Sequence, residues 1–327
     1  MSTASAFSIL SVPTGPVGAV AVAPNDPKVV YLGGAGGLFR STDGGETWTL
    51  LSRDLRYPHV LLVDPFDGRR LYAARRDLAS FLPLPCVFRS SDGGAAWENL
   101  TAGLGDERIF ALALDPLQRG VLYAGSWAGR VYRSLDGGDT WAPVTSGPVR
   151  EAPGDQAGTV RQIAVSPVDG AVYAVQSYAG AFRSDDGGAS WKRISTEGGW
   201  LAVDPQHGSL YLAGRRVLCS ESRGERWIDI SGNLACDPQI RVYGVQWIGV
   251  NPEPLVLYTR CHCSTDGGLS WERLDAPASF MPRLLVPGNT PVIYGSVGLR
   301  PSLAASTPTS QISFCLLFGC IYLYKEP

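Results

Sequence analysis

The chain lacks most of the features that announce a function. It has only three histidines, His59, His207 and His262, and neither a Gly-x-Ser-x-Gly elbow nor a His-Glu-x-x-His signature accompanies them. Charge bias is equally scarce. Twenty-eight basic and 30 acidic residues leave a formal net charge of -2, which gives no electrostatic case for nucleic acid or for an acidic membrane surface. The seven cysteines, Cys86, Cys219, Cys236, Cys261, Cys263, Cys315 and Cys320, are few and odd in number, so they read as scattered core or surface residues and not as a disulfide framework. Residues 312 to 324 are mostly apolar, but about thirteen residues is too short for a standard membrane span. The start, MSTASAFSILSVPTGPVG, has no basic stretch leading into an apolar run, so the expected location is cytoplasmic. No dozen residues free of Pro and Gly sustain a 3.6-residue apolar period, which leaves helices little room.

What the chain does have is glycine, proline and a repeated word. Thirty-nine Gly and 24 Pro make it rich in turns, and a hydrophobic fraction of 45% is ample for a large core. The word is STDGGETW at Ser41, and it returns as SSDGGAAW at Ser90, SLDGGDTW at Ser134, SDDGGASW at Ser184 and STDGGLSW at Ser264, with SESRGERW at Ser220 as a worn copy. Two further columns keep step with it. A short apolar strand runs into a proline at Pro24, Pro65, Pro116, Pro167, Pro205, Pro252 and Pro287, and a tyrosine follows at Tyr31, Tyr72, Tyr123, Tyr173, Tyr211, Tyr258 and Tyr294. A third apolar pair precedes each word, usually followed by Arg, as at Arg40, Arg89, Arg133 and Arg183.

Each unit thus predicts four short antiparallel strands. Repeated units of this kind stack radially, so the expected fold is an all-β propeller of four-stranded blades, seven in number with six as the alternative. Residues 1–300 form the single propeller. Residues 301–327 are set apart as an atypical apolar C-terminal tail, because the seventh unit loses its register after YGSVGLR and its blade is expected to be incomplete or atypical. The apolar FSILSV strand near the start is expected to close the ring by pairing beside the strands near Leu284 and Tyr294, which removes a bare edge.

The repeated word reads as a turn and not as an active site. Ser and Asp bond the turn backbone, Gly supplies conformations a Cβ would hinder, and Trp lies over the turn as an apolar lid. The structural residues so assigned are Ser41, Asp43, Gly45 and Trp48; Ser90, Asp92, Gly94 and Trp97; Ser134, Asp136, Gly138 and Trp141; Ser184, Asp186, Gly188 and Trp191; and Ser264, Asp266, Gly268 and Trp271. Calcium is the rival use of an Asp-x-Gly turn, but there are too few carboxylates per turn and no closing Glu. Cys261-His262-Cys263 falls on a strand, where alternate side chains point apart, so no metal and no cofactor are expected.

The Ser-x-Asp-x-Gly-x-x-Trp word resembles the Asp-box, or bacterial neuraminidase repeat, of propeller proteins. That superfamily includes sialidases, xyloglucan-degrading glycoside hydrolases, the luminal domain of sortilin-type receptors and the assembly factor that stabilises photosystem II. A sialidase resemblance implies an arginine triad, a Tyr and Glu pair and an Asp acid on different blades. Arg56, Arg108, Arg161 and Arg241 stand near the starts of first strands, but their offsets do not match one another, so none is carried over. A xyloglucanase resemblance implies two aspartates in a cleft between two propellers, which one propeller does not form alone. The resulting expectation is a non-catalytic binding or assembly module; the alternative is a glycoside hydrolase of sialidase-like or xyloglucanase-like type.

Loop lengths choose a binding face. The first-to-second and third-to-fourth turns share one end of a blade and keep fixed lengths, whereas all the variation falls at the other end. Its long loops carry Arg75, Arg76, Asp77, Arg150, Glu151, Asp155, Asp237 and Arg241. A protein or carbohydrate ligand is expected there, on the face opposite the boxes, beside exposed aromatics such as Tyr178, Trp200 or Trp247, with the chain a monomer.

Overall fold

The computed structural model describes residues 6–11, 17–75, 86–105, 107–144, 158–236, 245, 247–274, 280–286, 292–297 and 320–325. Within them the backbone forms seven four-stranded antiparallel sheets. In the first blade, Val17–Ala23, Asp26–Gly34, Gly37–Ser41 and Thr49–Ser52 pair in sequence order. The next five blades repeat this order, beginning at Pro58–Asp64, Ile109–Leu114, Val160–Val165, Trp200–Val203 and Ile248–Asn251. Each first strand touches the first strand of the next blade, and Phe280–Val286 of the seventh touches Val17–Ala23 of the first. The contacts close a ring, which is a seven-bladed propeller.

The seventh blade is the atypical one. Phe280–Val286 pairs with Val292–Val297, which pairs with Cys320–Lys325, and Ala6–Ser11 pairs outside that. The N-terminal strand therefore lies in the expected sheet, but its neighbour is the end of the tail and not the strand holding Tyr294. Segments from both halves of the chain thus build this blade, with Ala6–Ser11 as its outer strand.

No single core fills the ring. Buried side chains group between adjacent blades: Ala74, Leu104, Leu112 and Trp141 between the second and third, Val131, Val160 and Ile163 between the third and fourth. Each sheet is covered on both faces, so strands read as apolar runs, as in Leu122–Ser126 and Val172–Gln176, which are buried throughout. In the second to sixth blades the residue before the proline, Asp64, Asp115, Ser166, Asp204 or Asn251, is also buried but polar. Asp64, Asp115 and Asp204 accept the turn amides of Phe66, Leu117 and Gln206, each at 2.8 Å, which satisfies the first hairpin from within.

The boxes join blades together. Their second glycine has positive φ, and at Gly94, Gly138, Gly188, Gly224 and Gly268 a Cβ would come within 2.6–2.9 Å of an apolar side chain of the preceding blade: Leu38, Leu100, Val144, Ile194 and Ile230. Leu100, Ile194 and Ile230 also present their carbonyls to the box indoles, which donate from Trp141, Trp227 and Trp271 at 2.8–2.9 Å. Trp97 and Trp191 instead donate to Gly94 and Gly188 of their own turns. The tyrosine and arginine columns reach the same joint from behind. The Gly137 carbonyl accepts the Tyr72 hydroxyl at 3.2 Å and Arg89 Nη1 at 2.8 Å, and the Arg223 carbonyl accepts Arg183 Nη1 at 3.3 Å. Burial pushes the phenols of Tyr72 and Tyr123 up, and that of Tyr173 to about 12, so they stay neutral, Tyr72 as a donor.

These contacts predict two unequal glycine effects. Gly138→Ala puts a methyl 2.6 Å from Leu100 Cδ1 at φ 98°, whereas Gly44→Ala at φ 80° meets open space. Gly44→Ala carries backbone strain alone, about 1 kcal/mol, and Gly138→Ala adds overpacking of about 1–3 kcal/mol. Urea denaturation midpoints check the order: Gly138→Ala lies well below Gly44→Ala, and equal midpoints would contradict the joint.

Candidate functional site

Hydrogen bonds fix the two ends of the ring. At the box end, the amides of Gly93 and Gly137 donate to the carbonyls of Arg69 and Gly120, tying box to first hairpin at 2.8 Å. At the loop end, Tyr57 N donates to Gly34 O at 3.1 Å, Trp127 N to Arg108 O at 2.8 Å and Ser177 N to Thr159 O at 2.9 Å.

The box carboxylates are consumed locally. Asp136 accepts Ser134 Oγ at 2.8 Å, Thr140 N at 2.9 Å and Thr140 Oγ1 at 2.5 Å, while Ser134 Oγ accepts the Gly138 amide at 2.8 Å. Asp43, Asp186 and Asp266 make equivalent sets, and Asp92, which faces Ala96 in place of a hydroxyl residue, accepts Ser90 Oγ and the Ala95 and Ala96 amides. Donors aimed at the ionised form hold Asp136, Asp186 and Asp266 at about 2, and hold Asp43 and Asp92 below the usual carboxylate range. A carboxylate so committed is a poor proton carrier near neutral pH. In the worn copy Ser222 Oγ accepts the Arg226 amide at 2.8 Å in the aspartate's place, and Arg223 takes a glycine's positive φ of 57°.

The loop end is built differently. The pairing of first and second strands slips near the hairpin in the first two blades, at Val22/Ala23 and Val63/Asp64, and between Pro282 and Leu284 in the seventh; at the loop end of the first four blades it slips between Val17 and Ala19, Pro58 and Val60, Ile109 and Ala111, and Val160 and Gln162. Each of these loop-end β-bulges leaves one residue out of the ladder at the same place in the blade: Gly18, His59, Phe110 and Arg161. Bulges re-aim side chains and recur beside binding sites. The Phe110 ring stands 6.0 Å from His59 and 5.2 Å from Trp127, and Arg161 Nε donates to Ser177 Oγ. Outward from this row, Trp127 and Tyr178 are 52% and 93% exposed. Tyr57, also exposed, and Tyr178 both hold left-handed backbone, with φ of 52° and 63°, a cost that a bulky residue with no packing partner does not recover from folding.

A cavity of about 670 Å³ opens here against the third blade, walled by Leu104, Glu107, Arg108, Trp127, Arg130 and Tyr132. Glu107 Oε1 accepts Arg130 Nη1 at 2.8 Å and the Tyr132 hydroxyl at 3.3 Å, and Glu197 accepts Arg216 Nη2 at 2.6 Å. These carboxylates of the loop end are therefore paired with cations.

Of the residues expected at a binding face, Arg75 is half-buried at this end. Its Nη1 reaches the Asp54 carbonyl at 3.5 Å and its guanidinium lies over the Phe88 ring at 5.3 Å. Arg76, Asp77, Arg150, Glu151, Asp155, Asp237 and Arg241 lie outside the described residues. Tyr178 and Trp200 are exposed, whereas Trp247 is half-buried. Sequence reasoning passed over the bulged row and Trp127. No one residue type marks the row, which is filled by Gly, His, Phe and Arg in turn. Among the described residues no group of three His, Cys, Asp or Glu is placed to hold a metal, and no helix is long and apolar enough to cross a membrane.

The BNR/Asp-box repeat family model matches residues 39–50. No curated protein matches the chain. Among solved structures, the fold is similar to the GH74 xyloglucanase from Xanthomonas campestris, with TM-score 0.65, 22% identity, 90% of this chain covered and 53% of that one. It is similar also to YCF48 bound to D1 peptide, with TM-score 0.65, 18% identity and coverage of 97% and 96%. YCF48 from Cyanidioschyzon merolae gives TM-score 0.65, 14% identity and 98% coverage both ways. The chain spans about half the length of the GH74 enzyme and nearly all of YCF48. The chain thus has a propeller-like fold that contains a BNR/Asp-box repeat.

The box aspartates generate a pH prediction. Their folded pKa, about 2 for Asp136, lies below the unfolded value near 4, so the stability they contribute is present above about pH 4 and is lost as pH falls toward 2. These groups are exposed and water screens each contribution. Urea midpoints measured across this window should fall for the parent chain and fall less steeply for Asp136→Asn, which starts lower at pH 7. Parallel curves would contradict the assignment.

Proposed function

We propose that the chain is a non-catalytic binding or assembly module whose partner, a protein or a glycan, docks on the loop end. One observation carries this reading: exposed aromatics on strained backbone and the bulged row gather at the end where the box carboxylates are not. Folding gains nothing from Tyr57 and Tyr178 in these positions, and recognition does. The coextensive likeness to YCF48 supports a module complete in one ring, and makes an extended peptide the first probe. The GH74 likeness supports the second reading, a glycoside hydrolase, which would need a further propeller to complete a cleft.

Charge reversal separates the ends. With an immobilised peptide library and a glycan array as probes, Arg75→Glu with Arg76→Glu is expected to weaken binding about tenfold or more. Lys28→Glu with Glu46→Lys at the box end is expected to leave it unchanged. Binding lost only through the box-end pair refutes the assignment, and turnover of xyloglucan by the parent chain replaces it with the second reading.

A further inference from the structure

The cavity against the third blade is built, not incidental. At about 670 Å³ it falls within the roughly 300–1,000 Å³ of small-ligand sites. Leu104 and Tyr132 are its buried lining residues. The turn that carries Trp127 is closed by its own hydrogen bonds: Ser126 N donates to Arg130 O at 2.9 Å, Gly129 N to Ser126 O at 3.2 Å and Arg130 N to Ser126 Oγ at 3.1 Å. The Phe110 ring backs the indole, which still leaves Trp127 half in solvent. Polar side chains of the wall are only partly spent. Glu107 Oε1 takes both Arg130 and Tyr132, while Oε2 accepts nothing among the described residues. The exposed Arg108 guanidinium likewise makes no hydrogen bond or ion pair among them. The main chain, by contrast, is used up. The amides of Leu104, Glu107, Trp127 and Gly129 donate to the carbonyls of Thr101, Leu104, Arg108 and Ser126, and Pro143 has no amide hydrogen to offer.

We infer that this cavity is a saccharide subsite, in which a neutral sugar ring lies on the Trp127 indole with its hydroxyls between Glu107 Oε2 and the Arg108 guanidinium. Each unspent group selects one property of the occupant. The indole face takes a flat array of C–H bonds, which the less polar face of a pyranose offers. A carboxylate oxygen beside a guanidinium takes a group that both donates and accepts, as a hydroxyl does and an ion of either sign does not. An extended peptide binds through main-chain hydrogen bonds, and the described amides of this wall are already engaged. The set is also distinct from a sialidase centre, which draws on different blades, since Glu107, Arg108, Trp127, Arg130 and Tyr132 all belong to the third blade and the loop that enters it. Among the described lining residues Glu107 is the one carboxylate, whereas glycoside hydrolysis calls on a pair, so the site is one that holds a sugar. Such a subsite rests on the loop-end reading above and narrows its partner to a glycan.

Isothermal titration of the parent chain with a panel of neutral tetrasaccharides of glucose, mannose, galactose or xylose tests the subsite, and at least one is expected to bind. Trp127→Ala and Arg108→Ala each remove an exposed side chain, so their urea midpoints are expected to match the parent's. Affinity is expected to fall at least about tenfold for the first and about threefold for the second. Trp127→Phe keeps an aromatic face and is expected to stay within about threefold of the parent. A parent chain that binds no member of the panel overturns the subsite, and so does binding that Trp127→Ala and Arg108→Ala both leave unchanged. Sugar binding lost instead in Tyr178→Ala leaves the loop-end reading standing while removing this site. The same holds for a parent that binds no sugar but captures a peptide through Trp127. Binding lost only through the Lys28→Glu and Glu46→Lys pair at the box end removes both.

Discussion

Five joints between the described blades depend on one contact: an apolar side chain of one blade, packed where the next box has a glycine in place of a Cβ. Leu100 against Gly138, Ile194 against Gly224 and Ile230 against Gly268 are three instances. The carbonyls of the same residues hold the indoles that follow. A four-stranded sheet on its own exposes two apolar faces, so it is stable only when both neighbours are in place. The box supplies the fixed geometry that makes this stacking regular. Its serine and aspartate close the turn, and its glycine then admits the neighbour.

That constraint divides the molecule by function. The box end cannot vary in length without losing the joint, and its aspartates cannot serve as acids without releasing the turn. The loop end carries no such duty. Strands can slip by one residue there, as they do at His59, Phe110 and Arg161, and aromatics can stand in solvent on left-handed backbone. The end that folding leaves free is the one proposed above for recognition, in line with the usual division between scaffold and loops.

The all-β class, the seven units and the box turns were legible because each repeats at fixed spacing, and repetition averages out the ambiguity of any one strand. The reach of the tail was not. Cys320–Lys325 holds two tyrosines but no proline or box at the repeat spacing to set its register, and only pairing with Val292–Val297 and Ala6–Ser11 gives it a place. The joint itself was half legible: an apolar residue stands three positions after each box tryptophan, at Leu51, Leu100, Val144, Ile194, Ile230 and Leu274, but only the fold says that it crosses to the next blade. The bulged row escaped for a different reason. A bulge depends on how two strands are paired, and neither strand alone encodes the slip.

The joint is tested most directly by native-state hydrogen exchange on Ser134→Ala. Ser134 Oγ accepts the Gly138 amide and donates to Asp136, so its loss loosens one box without touching the blade before it. If boxes lock neighbours, protection falls across the joint as well, at the Leu100 amide that bonds to Val87 in the second blade, while the Ser177 amide at the loop end is unchanged. Exchange that speeds up only within residues 134–144, with Leu100 protected as before, would contradict the account.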